Sequence, residues 1–123
     1  MPERKKKTPY ISVIIPAFNE GAGIGDIIPK IRDVVSKLDK DHEIIVIDDG
    51  SQDQTAEYAR KAGARVIQHP YNIGNGAAVK NGIRHARGKI LVTMDSDGQH
   101  NPEDIPALVN RIGPYDMIVG SRN

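Results

Sequence analysis

Three short polar clusters hold most of the side chains in this sequence that can do chemistry. They are Pro16-Ala-Phe-Asn-Glu20, Asp48-Asp-Gly-Ser51 and Asp95-Ser-Asp97, and each follows a β-branched apolar run. Asp95 and Asp97 flank a single serine, a spacing that can aim one carboxylate at a metal ion and the other at a metal-bound water or a ligand hydroxyl. Carboxylate oxygens are hard ligands that suit Mg2+ or Mn2+, with ligand phosphates filling further positions. Gln99 can add a neutral oxygen. The same residues also make an Asx-turn with Asp97 or Asn101 capping the next helix. Asp48 and Asp49 can accept hydrogen bonds from a nucleobase N–H and a ribose hydroxyl, or simply form the turn that Asp-Asp-Gly-Ser favours. Asn19 and Glu20, next to the stiffening Pro16 and Ala17, read as pocket walls or as ordinary residues at a helix start. Asn72–Gly82 is glycine-spaced and opens a helix, so its backbone N–H groups can hold a phosphate with Lys80 adding charge. Its small residues also fit close helix–sheet packing. His69, His85 and His100 have no metal-like spacing and read as surface or loop residues.

These clusters need elements to position them. Ile11–Ile15 reads as a buried strand that stops at Pro16. Asp26 then caps a helix whose Ile27, Ile28, Ile31, Val34, Val35 and Leu38 form one stripe, with Pro29 in its first turn, where a missing N–H costs little. Glu43–Ile47 is a second strand. Ser51 or Asp53 caps a helix that runs to about Ala62, and Arg65–Ile67 is a third strand. A helix carrying Ala78, Val79, Ile83 and Ala86 ends at Gly88, before the strand Lys89–Met94. Asn101 and Pro102 start another helix, with Ile105, Leu108, Val109 and Ile112 on its buried stripe. Asp116–Val119 is a fifth strand. This alternation predicts an α/β fold, a doubly wound, mostly parallel sheet with helices on both faces and right-handed crossovers. Its functional edge lies at the carboxyl ends of the strands. All three clusters meet there, and their five carboxylates repel one another unless a cation or a donor-rich ligand offsets them.

Composition narrows the class. The chain has 123 residues, enough for one core, with 38% hydrophobic and only 4% aromatic residues and no Trp. Such a core is built from Ile, Val, Leu and Ala, as in parallel strands covered by helices. A net charge of +1 gives no ground for a nucleic-acid partner, and the lack of Cys excludes disulfides and zinc–thiolate sites. No apolar run approaches the roughly 20 residues of a membrane span, and no signal-peptide apolar region follows Met1. Residues 1–9 read as a basic flexible arm and 10–123 as one domain.

Taken together, the motifs resemble the family 2 glycosyltransferases of GT-A fold, above all the branch containing dolichol-phosphate mannosyltransferase and polyprenyl-phosphate glycosyltransferases. The resemblance rests on Val13–Glu20, Glu43–Ser51, Asp53 with Thr55, Asn72-x-Gly-x-Gly76, Asp95–His100 with Pro102-Glu103, and Gly120-Ser-Arg122, in that order. It implies an inverting hexosyltransferase that takes a nucleoside diphosphate sugar, of GDP-mannose or UDP-glucose type, and a divalent Mg2+ or Mn2+. Pro16, Ala17, Asn19 and Glu20 would line the nucleotide pocket, Asp48 would meet base or ribose, and Asp49 would lie nearby. Asp95, Asp97 and Gln99 would hold metal and diphosphate. The implied acceptor is a polyprenyl phosphate or a glycan, the implied location the cytoplasm with peripheral attachment to the cytoplasmic face of a membrane. The family's catalytic domain continues past Arg122 into segments that shape the acceptor site. The chain is therefore expected to be the N-terminal, donor-binding part, weakly active by itself, with an exposed strand at 116–119 that invites pairing of two copies.

Two other classes fit less well. A receiver-type signalling domain needs its acidic pair after the first strand and a Lys after the fifth, whereas here the pair follows the second and no Lys follows Val119. A dinucleotide-binding oxidoreductase needs a third glycine after Gly74-x-Gly76, in the first strand–helix turn. A nucleotide-binding fragment without turnover would share the donor pocket, and binding without sugar transfer would distinguish it.

Overall fold

The alternation of buried residues along the first two strands sets the architecture. In strand β1 (Ile11–Ala17), Ile11, Val13, Ile15 and Ala17 pack into one core with helix α1 (Ala22–Ser36), while Ile14 packs into a second core on the opposite face. Strand β2 (His42–Asp48) does the same, with Ile44 and Val46 on the α1 side and Ile45 and Ile47 on the other. A strand covered on both faces must be apolar at every position, which explains the unbroken Ile/Val runs. The computed structural model describes residues 9–38 and 41–94, and the backbone of 117–119.

The remaining elements are α2 (Thr55–Lys61), β3 (Arg65–Gln68), α3 (Asn75–His85), β4 (Ile90–Thr93) and β5 (Met117–Val119). They form a five-stranded sheet in the order β3-β2-β1-β4-β5, with every pair parallel. Helices α1 and α2 cover one face, where Ala59 and Ala64 join the α1 core, and α3 covers the other through Ala78. The fold is the expected doubly wound α/β sheet. Its strand order reverses between β1 and β4, where such sheets open a crevice at their carboxyl ends.

Close packing explains two small residues. A Cβ on Gly82 of α3 would lie 2.5 Å from Ile14 Cγ2 and 2.6 Å from Ile47 Cδ1, so glycine lets the helix settle on the sheet. Gly88, before β4, abuts the start of β1, where a Cβ would lie 2.6 Å from both the nitrogen and Oγ of Ser12.

Several boundaries differ from the sequence reading. β1 runs through Pro16 to Ala17. The carbonyl of Ile14 accepts from Met94 N–H on the β4 side, whereas that of Ala17 accepts from Asp49 N–H on the β2 side. Pro16 has the parity of Ile14, so its missing donor faces the side where β4 has already ended, and the ladder loses nothing. Helix α1 begins at Ala22, four residues before the expected cap Asp26, and Pro29 is its eighth residue rather than part of its first turn. Ile24, fully buried, extends the apolar stripe toward the N-terminus. Helix α2 starts at Thr55, with neither Ser51 nor Asp53 at the cap position. The expected helix after Asn101 and the sequence motif Gly120-Ser-Arg122 lie outside the described residues, as does most of the basic arm. Among the described residues no helix is long and apolar enough to cross a membrane.

Candidate functional site

Two loops at the carboxyl edge are tied into one body. Asn19 follows β1 in the left-handed region (φ 51°), a conformation asparagine tolerates better than most residues. Its N–H donates to Ser51 Oγ at 2.8 Å, and its side-chain oxygen accepts from Gln52 N–H at 2.9 Å. The next two amides, of Glu20 and Gly21, both donate to Thr55 Oγ1 at 3.0 Å. Thr55 is fully buried, and its hydroxyl in turn donates a hydrogen bond to Asp53 Oδ1. These bonds fix the backbone that leads into α1: a threonine more than thirty residues away holds the two amides before the helix, and the Glu20 carbonyl accepts from Gly23 N–H. The hydrogen bond from the Thr55 hydroxyl, with others from backbone amides, holds the Asp53 carboxyl below the ordinary aspartate range despite some desolvation.

Asp48 and Asp49 part company here. Successive residues at a strand end point to opposite faces, and these two are buried on opposite sides. Asp48 is 2% exposed; its Oδ1 accepts from Ser51 N–H at 3.0 Å, closing the turn. Its Oδ2 has no hydrogen-bond partner among the described residues. Asp49, 4% exposed, is fully engaged. Its Oδ1 accepts from His69 Nδ1–H at 2.9 Å and from Ile73 N–H at 3.0 Å, and its Oδ2 accepts from Gly74 N–H at 2.9 Å. Burial pushes the Asp49 carboxyl up, but the hydrogen bonds from His69, Ile73 and Gly74 outweigh it and leave the group below the ordinary range.

His69 lies in a loop, as the sequence reading allowed, but its side chain is turned inward and engaged. Its side chain is 9% exposed, and Nε2 accepts from the Asn81 amide on α3 at 2.8 Å. No spacing rule could have found it, since its partners lie 20 and 12 residues away. Asp49 also occupies the amides just before α3, the place where the glycine spacing had suggested a phosphate.

The other expected residues are distributed as follows. Pro16 is buried; the side chain of Ala17 packs into the α1 core, so only its backbone can face a ligand; Asn19 is exposed and Glu20 half-buried. Lys80 stands on the exposed side of α3, past its first turn. Phe18, Tyr71 and Ile73 are exposed apolar side chains on the same edge. Asp95, Asp97, Gln99 and His100 lie outside the described residues. Among the described ones, no group of three or more His, Asp or Glu side chains is gathered closely enough for a metal ion.

Comparison with known proteins agrees with this architecture. The model of the family described as glycosyl transferase family 2 matches residues 12–123. The chain belongs to that family. It is 41% identical over 117 residues to an uncharacterized protein of Methanocaldococcus jannaschii, covering 91% of this chain and 46% of that one. It is 34% identical over 120 residues to the dodecaprenyl-phosphate galacturonate synthase of Rhizobium johnstonii, covering 91% of this chain and 36% of the relative. Among solved structures, glucosyl-3-phosphoglycerate synthase from Mycobacterium tuberculosis, in complex with Mn2+, uridine diphosphate and glucosyl-3-phosphoglycerate, superposes with a TM-score of 0.67 at 37% identity. That match covers 83% of this chain and 39% of the enzyme. The chain thus spans less than half the length of the relatives it matches.

Proposed function

We propose that this chain forms the donor-binding part of an inverting glycosyltransferase that moves a sugar from a nucleoside diphosphate sugar to a polyprenyl phosphate. The observation that carries the reading is Asp48: a carboxylate 2% exposed, at the carboxyl end of β2, one strand from the β1–β4 switch, with one oxygen unanswered among the described residues. A buried polar atom left unpaired costs about 1–3 kcal/mol, so a ligand donor such as a base N–H or ribose hydroxyl is its natural complement. The tied loops beside it, carrying Asn19 and Glu20, give that donor a rigid wall. Family membership and the uridine diphosphate bound by the mycobacterial enzyme support the same reading.

Asp95, Asp97 and Gln99 follow β4 directly in sequence, and their hard oxygen donors fit Mg2+ or Mn2+, the latter present in the mycobacterial complex. When bound, such an ion offsets charge on the departing diphosphate. In the transfer, an oxygen of the acceptor forms a bond to the anomeric carbon as the bond to the diphosphate breaks on the opposite face. A phosphate acceptor is already an anion and needs no base, whereas a sugar hydroxyl of a glycan would. The name of the Rhizobium relative favours the lipid phosphate. A lipid-borne acceptor would bring the protein to a membrane surface, in this reading by peripheral attachment on the cytoplasmic face.

The test is thermal stabilisation by a panel of nucleoside diphosphates with and without Mn2+, since binding to the folded state raises its stability. One diphosphate should stand out, with a larger shift when Mn2+ is present. Asp97→Asn should weaken the metal-dependent affinity by about an order of magnitude, as expected for loss of a charge-assisted contact. If no diphosphate stabilises the protein, the reading is wrong; if Asp97→Asn keeps the metal-dependent increment, the metal assignment is wrong. Incorporation of labelled sugar into polyprenyl phosphate then tests transfer itself.

A further inference from the structure

The Asp49–His69–Asn81 chain is not required by the fold class or by the chemistry of sugar transfer, yet it is partly buried and continuous. It links three elements: the end of β2, the segment between β3 and α3, and the second turn of α3. The segment it grips lies against the turn that carries Asp48. Gly50 has φ 80°, and a Cβ there would lie 2.5 Å from Asn72 N and closer still to the Tyr71 carbonyl carbon. His69 N–H also donates to the Asp48 carbonyl at 2.8 Å. Any shift of residues 69–74 therefore moves the backbone on which Asp48 stands.

With the Asn81 amide nitrogen toward Nε2, the contacts match one tautomer of the imidazole. Asp49 Oδ1 is an acceptor, so the proton sits on His69 Nδ1; the Asn81 amide donates to Nε2, so Nε2 carries a lone pair. We propose that His69 is a positioning residue, a neutral Nδ1–H imidazole locked between Asp49 and Asn81 that fixes residues 69–74 against the Asp48 turn and thereby sets the affinity of the nucleotide pocket. In this arrangement Asp49 acts as an internal anion for the amides before α3 and does not touch the donor. The proposal rests on the donor-binding reading above, but its first test does not.

That test is the nitrogen spectrum of the histidine imidazoles in the protein at neutral pH, with His69→Gln used to assign the signal. A protonated Nδ1 and an unprotonated Nε2 are expected for His69, with the Nδ1 proton exchanging slowly; a protonated Nε2 with a bare Nδ1 would overturn the clasp even if nucleotides bind normally. The second test is titration of UDP and of GDP, each with Mn2+, against variants. Asparagine places an amide nitrogen near the position of Nδ1, so His69→Asn should retain most of the affinity, whereas His69→Ala should lose about tenfold, in line with the loss of a hydrogen bond to a charged group. Asn81→Ala, which leaves the Asp49 contact intact and loses the same bond as His69→Asn, should match that variant. Equal affinity in the parent and His69→Ala would overturn the positioning role. Failure of the parent to bind either nucleotide would instead count against the donor-binding reading, and the imidazole spectrum would still decide the clasp.

Discussion

The two ends of the sheet carry polar clusters of similar size and opposite character. At the amino end, Ser12 donates to Glu43 Oε2 at 2.6 Å and accepts from Gly88 N–H at 2.7 Å. Glu43 also accepts from Arg87 N–H at 2.7 Å and from Arg65 Nη1 at 3.5 Å, and Arg65 reaches the His85 carbonyl at the end of α3 at 3.0 Å. Every oxygen there is answered from within the chain. At the carboxyl end the loops are tied just as thoroughly through Thr55, Asn19 and Asp49, but one oxygen of Asp48 has no partner among the described residues. A fully satisfied polar cluster is architecture; the Asp48 carboxylate, with an oxygen to spare among the described residues, is the one proposed to meet a ligand. The comparison also separates two adjacent aspartates, one structural and one proposed to face the donor.

The sharpest way to break the comparison is to disturb the backbone contact at each end. Gly50→Ala places a side chain on a left-handed residue pressed against the Tyr71–Asn72 backbone, and roughly 2–5 kcal/mol of stability should be lost in urea unfolding. Gly88→Ala meets the Ser12 backbone without the unfavourable φ and should cost about 1–3 kcal/mol. Nucleotide affinity of the folded protein should fall only for Gly50→Ala; a parent-like affinity in that variant would remove the link between the Asp48 turn and binding.

Side-chain hydroxyls offer a gentler version. Thr55→Val keeps the shape and strands the Glu20 and Gly21 amides, while Ser12→Ala strands the Gly88 amide, and each should cost about 1–3 kcal/mol. The prediction that sharpens the contrast is that the two match in stability and differ in binding, with Thr55→Val alone loosening the nucleotide. Equal affinities in calorimetric titration would mean that the β1–α1 loop is not a pocket wall.

The smallest effect is expected in acid. The Asp49 carboxyl is depressed in the folded state, so its contribution is fully present above the unfolded pKa and is lost as pH falls through the folded one. Stability measured against pH in the acid range should therefore decline more steeply for the parent than for Asp49→Asn. Parallel curves would show that the clasp contributes no linkage.

How much of this could be read in the sequence follows from distance along the chain. The five strands were legible because a two-faced parallel strand must be a β-branched run, and the helices because their stripes recur locally. Helix α1's true start was not, because the loop leading into it is held by Thr55 rather than by a neighbour. His69 carried no signal, and neither did the Ser12–Glu43–Gly88 cluster, whose members meet only when β1, β2 and β4 are side by side. The split between Asp48 and Asp49 was within reach: adjacent residues at a strand end cannot both face one ligand, and only the parity of the buried isoleucines was needed to say so.

The central claim is that Asp48 is buried for a ligand and not for its turn, and Asp48→Asn tests it most directly. The amide keeps the Oδ1 acceptor for Ser51 and removes the charge behind the unanswered oxygen. The account predicts that affinity for the preferred nucleoside diphosphate, measured without metal to exclude effects at Asp97, falls about ten- to a hundredfold, the loss of one charge-assisted hydrogen bond. Thermal stability in the absence of nucleotide should hold or rise, because the Ser51 contact is kept and a buried charge has gone. Unchanged affinity together with a lowered melting temperature would contradict the account and make Asp48 a turn residue.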